Sequence, residues 1–333
     1  MDIRPIDVFD DEQFERWHAV GAAALSHGRE YATVWTLPEA KILFRRPFPG
    51  HTNLAFAAFD GPTMVGAATI FVPRLDNTGL VEPDVYVPPG HRRRGIGSAL
   101  VEEVVRRAEE LGRKTLLSSV AVPLDGDVVN HPYARFATKH GFSNALMDVH
   151  RVLDLPVADE LLDDLERRAA PHHRDYRLVA WVGACPDEYA ESFVSIFSSL
   201  MAEAPTGDID WEAERYDVAR LRTEEERRIE QRRQTYVCAA LAGDEIVAYT
   251  LLAVPGYDPG NVFQWGTLVR PAHRGRRLGM AVKVRALRAM QRANPDRRVV
   301  HTWNAEVNTH MVAVNDALGF RPVEYLAEFQ RRL

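Results

Sequence analysis

The sequence predicts an α/β (α+β) chain made of two tandem copies of one lobe, residues 1–155 and 176–333, joined by a linker over 156–175. Three observations predict it. The length of 333 residues suits two cores better than one, since a domain runs ~100–200 residues. Segments of the two halves repeat each other in register. In each half, a turn and a buried strand lead on to a basic, glycine-containing loop that opens an amphipathic helix.

Composition narrows the class. A hydrophobic content of 46% with 26% charged residues is that of an ordinary globular protein able to bury a core in each half. The net charge of -6, from 41 basic and 47 acidic residues, argues against nucleic acid or an anionic membrane as partner. Of the basic residues only Lys41, Lys114, Lys139 and Lys283 are lysines, a bias read as genome composition. Cys185 and Cys238 are too few for a disulfide framework and lack the clustering of a zinc site, so reduced conditions and no metal are expected. The opening MDIRPIDVFDDEQ lacks an apolar signal core, and no run of ~18 apolar residues occurs. A soluble, cytoplasmic monomer or homodimer is the expectation.

The repeat is specific. Asp60-Gly61 before MVGAATIFV is echoed by Gly243-Asp244 before IVAYTLLAV, each reading as a hairpin turn and a buried strand. Val87-Pro88-Pro89-Gly90-His91-Arg92 returns as Val269-Arg270-Pro271-Ala272-His273-Arg274. Gly61 to Gly243 and Arg92 to Arg274 both span 182 residues, and Gly141-Phe142 recurs as Gly319-Phe320 at 178. The helix after the first loop carries Ile96, Leu100, Val101, Val104, Val105, Ala108 and Leu111 at helical spacing and stops at Gly112. Its counterpart carries Leu278, Ala281, Val282, Ala286 and Ala289 and stops before Asn294-Pro295. Between the halves, PVADELLDDLERRAAPHHRDYRL reads as an acidic helix, a Pro-His-His break and a strand from Tyr176 to Trp181.

His91-Arg92-Arg93-Arg94-Gly95-Ile96-Gly97-Ser98 follows the extended VYVPP and opens a helix. Free amides at a helix N-terminus, with glycines that allow close approach, suit a pyrophosphate, and arginines add charge-assisted contacts. A Walker loop would need Gly-Lys-Ser/Thr and a dinucleotide loop Gly-x-Gly-x-x-Gly, and neither occurs.

Arg92-x-x-Gly95-x-Gly97 resembles the acetyl-CoA loop of the GCN5-related N-acetyltransferases, as do its VYVPPGHRRRGIGSAL context and the later helices ending in HGF or LGF. The two halves cover nearly the whole chain, which is similar to the tandem, mycothiol-synthase-like members of that family. The resemblance implies, in each lobe, a mixed, mostly antiparallel twisted sheet flanked by helices. It also implies acetyl-CoA as acyl donor and a primary amine of a small molecule as acceptor, attacking the thioester directly. Contacts to CoA are implied at Tyr86, Val87, Arg92, Arg93, Arg94, Gly95, Gly97 and Ser98 in the first half. In the second they fall at Leu268, Val269, Arg274, Gly275, Arg276, Arg277, Gly279 and Met280, and at Asn304, Asn308 and Asn315. Arg277 stands where the first loop has Gly95, adding a side chain where the ligand approaches, or a further phosphate contact.

For the proton on the amine, Glu82 and Asp84 are candidate bases, since with Tyr86 they alternate along one strand and share a face. The equivalent Phe263–Val269 strand has no carboxylate, but His301, Trp303, Asn304, Glu306 and Asn308 crowd the next strand end, and Glu306 is the candidate base there. Asn and Glu at such a place suit helix caps equally. The family's tyrosine general acid, four residues before Gly-Phe, is replaced by Ala137 and Asn315, leaving Tyr133 or water to substitute. One active and one supporting lobe are expected, with the WNAEVN cluster favouring the second. The alternatives are a non-catalytic acetyl-CoA sensor and an aminoacyl-tRNA-dependent transferase, the latter disfavoured by the charge.

Overall fold

A computed structural model describes Met1 to Leu333 save Ala204 and Ala213, and only the backbone of residues 201 and 202. The chain forms two compact units.

The first unit takes in residues 1–147, 206–212 and 325–333. In order it holds β1 (Asp2–Pro5), α1 (Asp11–Ser26), α2 (Leu37–Arg45), β2 (His51–Asp60), β3 (Thr63–Pro73), β4 (Leu80–Tyr86), α3 (Ile96–Glu110), β5 (Thr115–Pro123), α4 (Pro132–Lys139) and the start of β6 (Ser143–Asp154). Strands β1 to β5 lie side by side in sequence order, antiparallel except for the β4–β5 pair. The β2–β3 hairpin turns at Gly61, whose φ of +61° is natural to glycine. Period-two alternation divides the sheet: Ala55, Ala57 and Phe59 face α1 with Phe14 and Trp17, while Phe56 and Ala58 face Ile96, Leu100 and Val104 of α3. Trp17 also anchors α1 by donating Nε1–H to the Phe56 carbonyl at 2.9 Å.

The second unit takes in residues 148–205 and 213–324. After the remainder of β6 come α5 (Asp159–Ala169), β7 (Arg177–Val182), α6 (Asp187–Ser198), α7 (Leu200–Glu203), α8 (Val218–Glu230), β8 (Arg233–Ala242), β9 (Glu245–Pro255), β10 (Asn261–Val269), α9 (Leu278–Ala293), β11 (Val299–Ala305), α10 (Thr309–Leu318) and the start of β12 (Arg321–Arg332). The order β7-β8-β9-β10-β11 repeats the first unit, again with one parallel pair, β10–β11. Helices α5 and α9 cover Tyr236, Cys238 and Ala240 on one face. Helices α6 and α8 cover Val237, Ala239 and Leu241 on the other. Each unit is thus the mixed, mostly antiparallel sheet flanked by helices that the resemblance implies.

The expected boundaries need correction. Residues 156–175 are not a linker: α5 buries Leu162 and Leu165 in the core it shares with α9. At ~1.5–3 kcal/mol per buried leucine, that docking is firm. Arg288 reinforces it through Asp163 at 2.6 Å and Glu166 at 3.4 Å. Residues 148–154 belong to the second unit, where they pair with β11, and the chain's last residues belong to the first, where Ala327 and Phe329 join the α3 core. Residues 206–212 also complete the first unit, through Asp208 N–H to the Ala145 carbonyl at 2.9 Å and Glu212 N–H to Asn77 Oδ1 at 2.7 Å. Alternating burial shows which face of a strand is inward, but not which neighbour it pairs with. Among the described residues no helix is long and apolar enough to cross a membrane.

Candidate functional site

In both units a parallel strand pair opens like a V. Strands β4 and β5 pair at Leu80–Thr115 and Val81–Leu116, and among the described residues no further ladder joins them, although β4 runs on to Tyr86 and β5 to Pro123. Strands β10 and β11 pair from Asn261–Val299 to Phe263–His301 and then part likewise. In β10 the register against β9 shifts between Gln264 and Gly266, a bulge that bends the strand where the gap opens. Tyr86–Val87 and Leu268–Val269 lie beyond the last β4–β5 and β10–β11 pairs.

Above each gap the basic loop turns into α3 or α9. Pro89 and Pro271 each start a short 3₁₀ turn, where a fixed φ and a missing N–H suit the position. Two left-handed residues follow in each loop: Arg93 (φ +62°) and Gly95 (φ +81°) in the first, Gly275 (φ +78°) and Arg277 (φ +52°) in the second. With 182 subtracted, Gly275 falls on Arg93 and Arg277 on Gly95. The second loop has therefore kept its backbone path, exchanging which left-handed site holds the glycine. Space is open around Gly95 and Gly275, and neither α3 nor α9 has a side-chain cap, unlike α1, α8 and α10, which Asp10, Asp217 and Asn308 cap. The first-turn amides at Gly97–Ser98 and Gly279–Met280 are left to an anion.

Several loop side chains have structural partners. Arg92 Nε donates to the Val87 carbonyl at 2.9 Å and Arg274 Nε to the Val269 carbonyl at 3.3 Å, so each clamps the loop to the end of its strand. Arg94 pairs with Asp60 at 2.7 Å, Arg274 also with Glu203 at 2.8 Å, and Arg277 donates to the Arg168 carbonyl at 3.3 Å. Ser98 meets His140 Nε2 at 3.0 Å. A Cβ at Gly97 would be crowded, 3.1 Å from the Phe136 ring, whereas one at Gly279 would make an ordinary contact at 3.7 Å from Val269. Tyr133, the suggested substitute acid, is 38% exposed, with Arg92 over its ring.

The carboxylates divide by unit. Glu82, Asp84 and Tyr86 do share one face of β4, the face covered by α1, where Tyr86 joins the core with Gly21 close to its ring. Burial raises the Asp84 carboxyl and a hydrogen bond from Tyr86 pulls it back; burial raises the Tyr86 phenol well above its usual range. In the second unit Gly266 holds the register of Asp84, and a Cβ there would be crowded, 3.1 Å from Tyr249 Oη and 3.2 Å from Leu200. Glu306 is exposed, without a hydrogen-bond partner among the described residues. The carboxylate brought to this end of β11 is Asp148, directly across from Ala305 and half-buried, with its carboxyl pushed up to about 6 by burial against the opposing pull of Arg151. The sequence reading missed it because Asp148 lies on a strand assigned to the other half.

The polar cluster at the end of β11 separates onto two faces. On the α6 and α8 face, His150 lies under Trp303 with centroids 4.5 Å apart, and Phe263 stacks with His301 at 5.5 Å. Arg233 lies over Phe263 and Trp265, and Arg228 over Trp265. A buried chain runs from Glu324 Oε1 to His150 Nδ1 (2.8 Å), His150 Nε2 to His301 Nδ1 (2.9 Å), His301 Nε2 to Asn261 Oδ1 (2.8 Å) and Asn261 Nδ2 to Asp258 (2.5 Å). Asn261 donates to a carboxylate with its amide, so its oxygen accepts from His301 Nε2–H. Burial and the neighbouring His150 lower His301 to about 4, so this ring is neutral and accepts at Nδ1 from His150 Nε2–H. On the α9 face, Lys283 Nζ donates to Asn315 Oδ1 at 2.7 Å, and Asn315 Nδ2 donates to Asn304 Oδ1 at 2.6 Å. Asn308 is a cap, accepting from Met311 N–H at 3.3 Å.

No group of His, Cys, Asp and Glu that could hold a metal occurs among the described residues. Both cysteines are buried, with thiols pushed up to about 12 by burial.

The acetyltransferase (GNAT) family model matches residues 21–142 and 193–320, once in each half. No curated protein sequence matches the chain. Among solved structures, a tandem GNAT protein from the clavulanic acid biosynthesis pathway, without acetyl-CoA, is 28% identical with a TM-score of 0.81, covering 99% of this chain and 98% of its own. A GCN5-related N-acetyltransferase from Sphaerobacter thermophilus superposes at a TM-score of 0.64 with 15% identity, over 99% of this chain and 95% of its own. The glucosamine N-acetyltransferase region of a fungal multi-domain GH3 β-N-acetylglucosaminidase superposes at 0.67 with 12% identity, over 99% of this chain but only 38% of that one. The last two likenesses speak to fold alone.

Proposed function

The chain belongs to the GNAT acetyltransferase family in both of its halves, and from that premise we propose that it moves an acetyl group from acetyl-CoA to a primary amine of a small molecule, with the second unit performing the transfer. The observation that carries this reading is the parting of β10 from β11 directly beneath an uncapped helix N-terminus, with Asp148 at the far lip of the gap.

The residues present fit the donor. The left-handed loop and first-turn amides of α9 suit its pyrophosphate, Arg276 is available for a phosphate contact, and the Leu268–Val269 edge suits the pantetheine amides. Bound there, the donor supplies an activated acyl carbon. The amine approaches from the Phe263, Trp265 and Trp303 side, and Asp148, a carboxylate titrating near neutrality, takes its proton. The first unit, with the same gap and loop, serves as the supporting lobe.

Free-thiol release from acetyl-CoA over a panel of primary amines tests the reading. Asp148→Asn should lower kcat about a hundredfold or more, and Asp84→Asn should leave it nearly unchanged. The reverse pattern would move the transfer to the first unit. Tight acetyl-CoA binding with no turnover on any amine would make the chain a sensor.

A further inference from the structure

Lys283 is the one lysine of the second unit, and it is inside: on α9, 2% exposed, over the ring of Phe320, with its hydrogen bond among the described residues going to Asn315. Fully burying an ammonium group without a carboxylate is costly, and burial lowers it to about 7. Nothing in packing calls for a lysine here, since methionine would fill the same space.

The chain of bonds has a direction. Lys283 Nζ donates to Asn315 Oδ1, which turns Asn315 Nδ2 toward Asn304. Asn304 then accepts with Oδ1, and its own Nδ2–H₂ is the outward end. That end has no partner among the described residues, and it lies half-exposed on β11 beyond the last β10–β11 pair, at the mouth of the gap. A row of donors polarises each bond in turn, which strengthens the terminal donor.

We infer that Asn304 is the catalytic donor to the departing sulfur in the second unit, with Lys283 and Asn315 as positioning residues that orient and polarise it. This rests on the proposal that the second unit carries out acyl transfer. In that step the amine nitrogen bonds to the thioester carbonyl carbon, and the carbon–sulfur bond breaks with its electron pair passing to sulfur. The proton lost from nitrogen goes to Asp148 and then to solvent. The sulfur leaves as a thiolate, and Asn304 stabilises it by donating N–H without giving up a proton. A phenol at position 315 is not needed: a thiol ionising near ~8.5 leaves readily once its anion is hydrogen-bonded. The carboxylate and the donor lie on opposite faces of the sheet, so attack and departure do not compete for the same space.

The test uses the full chain and titration calorimetry at pH 8 in two buffers of different ionisation heat, comparing free coenzyme A with acetyl-CoA, which has no thiol. Bringing the bound thiol from ~8.5 to about 7.5 would release about half a proton with coenzyme A and none with acetyl-CoA. Lys283→Met, which keeps the volume, and Asn304→Leu, at a half-exposed site that spares the core, should each abolish this thiol-linked release while acetyl-CoA still binds. Both should lower kcat at least tenfold with little change in KM. Equal release by wild type and both variants would overturn the inference, as would no release by wild type despite binding of both ligands. Failure of both ligands to bind the second unit would overturn the transfer reading beneath it too.

Discussion

Arg93 and Arg277 occupy opposite left-handed positions of two equivalent loops, at φ +62° and +52°, each matched in the other loop by a glycine. A non-glycine residue in this region costs roughly 1 kcal/mol, so each loop carries one strained arginine that a glycine would relieve.

Arg93 has no hydrogen bond among the described residues, so Arg93→Gly isolates the backbone effect. It should stabilise the first unit by about 0.5–1 kcal/mol, raising its melting temperature by roughly 2–4 °C in calorimetry. Gly95→Ala should lose a similar amount, since its Cβ would meet open space and only the backbone would object. If neither variant shifts the transition, the loop does not hold its left-handed residues in solution.

Asp148 predicts opposite effects on stability and activity. Its carboxyl titrates at about 6 when folded, above its ordinary value of 3.8, so the folded chain binds the proton more tightly than the unfolded one. This contribution is present at low pH and is lost as pH rises through 6. Asparagine, always neutral, avoids the loss. Asp148→Asn should therefore be more stable than wild type at pH 8, by at most about 3 kcal/mol, and nearly equal to it at pH 4 in urea denaturation. In wild type, kcat/KM should rise with pH through about 6, and this limb should vanish in the variant. A variant less stable at pH 8 would show that Asp148 has an ionic partner.

The His150–Glu324 contact at 2.8 Å is buried, so removing one partner leaves the other exposed to no water. Glu324→Gln should destabilise the second unit by about 3 kcal/mol, and the Glu324→Gln, His150→Gln double variant should be less harmed than the sum of the singles. Additive losses in denaturant titrations would mean that the rings are held by stacking on Trp303 alone.

What the sequence made legible follows from what its residues constrain. Prolines, glycines and arginines at one offset specify a backbone path, so the loops and the helices behind them were readable, including where α3 and α9 stop. The exchange of glycine and arginine was visible as letters, but its meaning depends on φ angles. Residues 159–169 were readable as a helix, yet not their docking, which depends on distant Arg288 and the α9 surface. Asp148 was hidden because strand pattern does not name a neighbour. Lys283 left one signal: a lysine on the apolar side of a helix in a chain that otherwise favours arginine. The Phe263–Trp265 strand gave no clue that Tyr249 and Leu200 crowd the Gly266 position, because that crowding exists only in three dimensions.

The allocation of residues 325–333 to the first unit and 148–154 to the second bears on how the chain is made and how it evolves. A ribosome that has released residues 1–147 has not yet delivered Ala327 and Phe329 to the core around α3, so the earlier half must wait, incomplete, for residues 325–333. Removing residues 325–333 therefore injures the first unit first. Neither copy can be shed or excised as a free-standing piece, which gives a lineage reason to retain both even after one has ceased to do chemistry.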